Sequence, residues 1–111
     1  MTGKQIGKIR KASFGMGGYR DAMIGFSFEL GSDKESWGIH DFKGYWSGDR
    51  SASTKWSEDD RVNYLGQACM NMAKIMGEAK CSTLQGLVGK PVEVTIEGNT
   101  LKEWRILTEA I

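Results

Sequence analysis

His40 and Asp41 are the first residues to weigh for chemistry, because an imidazole beside a carboxylate can carry a proton in acid–base or nucleophilic catalysis. They are adjacent in "GIHDF", and adjacent residues of a strand point to opposite faces, so they do not make a working pair. Cys69 and Cys81 are the only cysteines and His40 the only histidine, too few and too scattered for a zinc centre. No G-x-S-x-G nucleophile elbow occurs in the chain. Glu58, Asp59 and Asp60 do cluster, but the start of a helix, where the backbone dipole favours negative charge, accounts for them. The expectation is a protein that works by binding, with no catalytic residues, no metal and no cofactor.

Two sets of residues could bind. The first surrounds the glycines of "FGMGGYRDAMIG" at residues 14–25. A phosphate-cradling loop lies between a strand and a helix, whereas both flanks here read as strands, so a hairpin bend fits better. That bend presents Tyr19, Arg20 and Asp21, and the third strand adds Asp41, Phe42, Lys43, Tyr45 and Trp46. Together they make a candidate face for a protein partner. The second set, Lys8, Arg10 and Lys11 with Tyr19 and Arg20, would suit single-stranded DNA or a nucleotide, since bases stack on aromatic rings while cations follow the phosphates. Lys4, Lys8, Arg10 and Lys11 are followed by no acid before Asp21, which predicts a local basic patch. Salt separates the two readings, because phosphate binding weakens steeply as salt rises.

The elements that must position these residues read clearly. "QIGKIRKASF" (5–14) is a first strand. In "DAMIGFSFEL" (21–30), Ala22, Ile24, Phe26, Phe28 and Leu30 share one face, the period of two of a half-buried antiparallel strand. "WGIHDFKGYW" (37–46) is a third strand, and 47–55 is a loop by composition. Ser57 caps a helix over 58–79, whose apolar stripe is expected to be Val62, Leu65, Cys69, Met72 and Met76. Met70 and Ala73, off that stripe, offer an edge for a partner helix or a second copy of the chain. "CSTLQGLVGK" follows as a turn with Leu84 and Leu87 on the core. A hairpin then places Val92, Val94 and Ile96 inward, turns at Gly98-Asn99, and returns through Trp104 and Ile106. The order β-β-β-α-β-β predicts an α+β domain: a curved antiparallel sheet of about five strands on one long amphipathic helix.

Composition agrees with a single domain over residues 1–111. Hydrophobic residues are 40% and charged residues 26% of the chain, and the net charge is +1. That balance excludes a disordered chain, an acidic DNA mimic and a strongly basic duplex binder. Neither a signal peptide nor a membrane span is visible. Two free thiols suit a reducing cytoplasm.

At "FGMGGYRDAMIGFSFEL", "GIHDFKGYW", "KWSEDDR" and "LVGKPVEVTIEGNTLKEWRILTEAI" the chain resembles, over nearly its whole length, a family of small proteins of tailed bacteriophages and prophages. The shared features are an fGxGGYqDa hairpin at Phe14 to Ala22 and a Gly-x-x-Asp-Phe segment ending in Trp at Gly38 to Trp46. A Trp-(Ser/Thr)-Glu-x-Asp-Arg helix start at Trp56 to Arg61 and a GKPVEVT…LKxWRILTE tail at Gly89 to Glu109 complete the set. His40 stands where small residues are expected, which weakens any role for it as a shared site. The resemblance implies an accessory protein of the host cytoplasm that binds a host or phage component, an anti-defence role included. It brings no catalytic residue.

Overall fold

The long first strand organises the molecule. In the computed structural model, which describes residues 2–18, 23–46 and 57–111, β1 runs over Gly3–Gly17 and serves two hairpins in turn. Its first part, Gly3 to Lys8, pairs with β4 (Pro91–Glu97), and its second part, Lys8 to Gly17, pairs with β2 (Met23–Ser32). β3 (Trp37–Trp46) flanks β2, and β5 (Thr100–Ile106) flanks β4. All pairings are antiparallel, in the order β3-β2-β1-β4-β5. The α+β class, the five strands and the element order are those expected from sequence.

Alternation delivers the core as the sequence reading requires. Phe26, Phe28, Leu30, Val92, Val94, Ile96 and Ile106 are buried on one face, which is here called the inner face. Trp37 is also buried, and its ring lies where a Cβ at Gly7 would come within 2.8 Å of it. Glycine at position 7 is therefore a packing requirement. Gly98, with φ +65, makes the tight turn between β4 and β5. Leu87, in a short 3-10 turn at Gln85–Leu87, is fully buried, and Leu84 packs against the core.

Helix α1 spans Glu58–Ala79, with Ser57 and Asp60 forming a reciprocal capping box. Its inner stripe is rotated from the one expected. Ala68 and Ala79 are buried, and Leu65, Met72, Ile75 and Met76 half-buried, while Val62 is 61% exposed and Cys69 lies on the outside. The sequence stripe favoured the larger apolar residues. Ala79 joins the core cluster, with Met72, Ile75 and Met76 packed against it, and Val62, Cys69 and Met70 face out. Cys69 is thus an exposed thiol and not the small core residue expected. No helix among the described residues is long and apolar enough to cross a membrane.

The sheet is rolled. Trp104 on β5 donates its indole Nε1–H to Asp41 Oδ2 on β3 at 2.7 Å, although these are the two outermost strands. Strands in a flat sheet lie about 4.8 Å apart, so four spacings would hold the pair roughly 19 Å apart. Only a sheet curled into an open half-barrel brings them together. Helix α1 lies over the mouth of that half-barrel, touching both β3 and β5.

Candidate functional site

Strand alternation divides the expected partner-binding face. Asp41, Lys43 and Tyr45 point to the inner side with Phe28, Phe26 and Ile24, their register partners on β2. Phe42 pairs with Ser27 and points to the outer face, half-buried. A Cβ at Gly17 would meet the Phe42 ring at 3.0 Å, so this ring lies over a strip of glycines. Trp46 is described by its backbone alone, paired with Met23. Tyr19, Arg20 and Asp21 lie outside the described residues, as does the expected loop at 47–55. His40 is exposed and pairs with Glu29 in register, on the face opposite Asp41.

Lys43, on the inner side of β3, lines a cleft between α1 and the two closing strands. It has a volume of about 260 Å³ and is lined by Lys43, Asn71, Lys74, Glu78, Trp104 and Arg105, among others. The Lys43 ammonium lies 5.5 Å from the centre of the Trp104 ring and 3.5 Å from Asp41 Oδ2. Tyr45 accepts a hydrogen bond from Asn71, tying β3 to the helix. Arg105 lies 3.3 Å from Glu93 and 2.9 Å from Glu109, and Glu109, foremost, raises its pKa above the usual arginine value. The cleft therefore carries three cations, Lys43, Lys74 and Arg105, one acid, Glu78, and an indole tethered to Asp41, an arrangement that closes the fold. Sequence reasoning missed Trp104 as the partner of Asp41, because 63 residues separate them and nothing local links them.

The basic strand is partly offset by acids from other strands and turns. Ladder pairing shifts between Ile9 and Lys11, so Arg10 is an extra residue. This bulge turns Lys8, Arg10 and Lys11 to the outer face together, where simple alternation would send Lys11 inward. Each then meets an acid from elsewhere in the sheet. Lys8 and Arg10 share Asp33 at 3.3 and 2.7 Å, Lys11 lies 3.7 Å from Glu29, and Lys4 lies 3.8 Å from Glu93. The hydrogen bond and charge of Lys8, followed by the charge of Arg10, hold the Asp33 carboxyl below its usual value. Three acids thus offset the four cations of the expected basic patch only in part, since Asp33 is shared by Lys8 and Arg10 and Glu93 also meets Arg105.

The far end of the sheet differs. Phe14 and Met16 project from the inner face of β1 and remain 37% and 56% exposed. Phe14 packs edge-on against Phe26 at 5.1 Å between ring centres, and Ile24 and Tyr45 lie half-buried on the same face. This apolar strip lies at the end of β1 that closes with Gly17. Among the described residues, no three His, Cys, Asp or Glu side chains converge as a metal site. Comparison of the chain with protein-family models, with curated proteins and with solved structures finds no match.

Proposed function

We propose that this protein is a non-enzymatic binding module whose partner is another protein, seated on the apolar end of the sheet beside the glycine bend. The observation that carries the reading is the exposure of Phe14 and Met16 on an otherwise well-covered inner face. Large apolar side chains left accessible in a group commonly mark protein contact surfaces. Tyr19, Arg20 and Asp21, which follow in the chain, would supply the polar rim. Pairing of Lys8, Arg10 and Lys11 with acids leaves less unmatched charge for phosphates, which favours a protein over single-stranded DNA or a nucleotide. The resemblance to phage and prophage proteins supports an accessory role inside the bacterial host, acting on a host or phage protein and including interference with defence.

The test is capture of partners from infected and uninfected cells, with and without nuclease, by the wild-type protein, by Met16→Asp and by Tyr19→Ala/Arg20→Ala. The expected outcome is a partner that survives nuclease and raised salt and is lost with both variants, while thermal stability changes little. A partner released by nuclease, or one that both variants retain, would overturn the reading.

A further inference from the structure

Among the described residues, the second part of β1 is paired on one side only. Beyond Lys8 the ladder to β4 ends, and Ile9 completes it by bonding to Gly89 and Lys90. From Lys11 to Gly17, β2 pairs with β1 on one side, and among the described residues no strand lies on the other. About seven residues of strand, roughly 23 Å, therefore present an open row of backbone donors and acceptors. This edge lies inside the strand order, where the two hairpins are offset along β1.

Natural sheets blunt their edges with charge, proline or bulges, because an unpaired strand templates another. The two outermost strands here are blunted in that way. β3 carries the inward charges Asp41 and Lys43, and β5 carries Lys102, Glu103 and Arg105. The segment Lys11-Ala12-Ser13-Phe14-Gly15-Met16-Gly17 has no proline and one charge, and its bulge lies before it. Gly15 is open enough that a Cβ there would meet nothing within 4 Å.

We propose that this edge pairs antiparallel with the same edge of a second copy of the chain, forming one continuous ten-stranded sheet about a two-fold axis at Phe14. The segment complements itself in that register. Phe14 lies beside its own copy, and Ala12 lies opposite Met16, so apolar side chains meet on the inner face. On the outer face Ser13 lies opposite Gly15 and Lys11 opposite Gly17. The two Lys11 side chains fall at opposite ends of the seam, so no like charges meet, and each already has Glu29 at 3.7 Å. The seam uses the backbone edge and leaves the inner-face strip available. It also sets two such strips side by side, independently of what binds there.

Sedimentation of the wild-type protein across the micromolar range, combined with amide hydrogen exchange, tests this. A monomer–dimer equilibrium is expected in which alternate amides between Lys11 and Gly17, unprotected when dilute, gain protection over the same concentrations that produce the dimer. Met16→Lys, a change at an exposed side chain, is expected to weaken association by more than about tenfold. Met70→Lys, on the exposed face of α1, is expected to leave it unchanged. A monomer at all concentrations with those amides exchanging freely overturns the proposal. So does a dimer that Met70→Lys dissolves while Met16→Lys does not. The exchange measurement on the wild type decides the matter even where Met16→Lys fails to fold.

Discussion

Asp33 gathers the charge of the outer face, since both Lys8 and Arg10 reach it from β1. Its folded pKa lies below the usual 3.8. A depressed carboxyl pKa adds stability that is present above the unfolded value and is lost as pH falls through the folded one. The stability difference between wild type and Asp33→Asn should accordingly be full near neutral pH. It should shrink as pH drops below about 3.8, because the wild-type carboxylate is then protonated as well. Raised salt should shrink it too, since the group is solvent-exposed and its attractions are screened. Urea melts at several pH and salt values would check this, and a difference independent of both would show that Asp33 acts through shape and not charge.

At the scale of elements, glycine has opposite meanings in the helix and in the sheet. Gly66 lies inside α1, and a Cβ there meets nothing within 4 Å. Gly66→Ala should stabilise the protein by about 1 kcal/mol, because alanine loses less backbone freedom on forming a helix. Gly25 lies in β2 against the Lys43 carbonyl and Gly44 of β3. Gly25→Ala should destabilise by about 3 kcal/mol or more, since β2 and β3 cannot keep their spacing around the added carbon. Thermal unfolding of the two variants in parallel is the check, and equal effects of the same sign would contradict this account. The bulge at Arg10 is the other element-scale device, one residue that gathers three cations on one face and thereby brings them to their acids.

For the whole molecule the decisive contact is Trp104 with Asp41, the outermost strands joined across the mouth. Trp104 also packs edge-on against Phe28 at 5.0 Å. Trp104→Phe keeps much of the packing and removes the indole donor. It should cost about 1–2 kcal/mol, within the range for a hydrogen bond to a charged partner that stays partly wet. Asp41→Asn should cost less, because an amide oxygen still accepts. In the double variant the costs should fall short of additive, since both changes act on the same bond, which Trp104→Phe removes and Asp41→Asn weakens. Additive losses in chemical denaturation would mean that the two residues act separately.

Much of this was legible in the chain. The alternation in β2 and β4, the Gly98-Asn99 turn and the cap at Ser57 each rest on local chemistry, and each element lies where its pattern puts it. The helix was legible in extent but not in rotation. Which face turns inward was settled by packing against the sheet, where Ala79, Met72, Ile75 and Met76 join the core while Val62 and Cys69 face out. The candidate face on β3 read as one surface because its residues are consecutive, and it divides in two because a strand sends consecutive side chains to opposite sides. Phe14 and Met16 carried a usable signal, two apolar residues at a spacing of two just before the bend. Whether anything covered them was a question about other strands.

The sequence by itself determined the elements, their order and the identity of most of the core, because these follow from steric and solvation preferences acting over a few residues. Tertiary structure decided the curl that joins β3 to β5, the pairing of the basic strand with Asp33, Glu29 and Glu93, and the offset that, among the described residues, leaves one side of β1 open. Those are contacts between residues far apart in the chain. Their free energy depends on distances that exist only once every strand has taken its place.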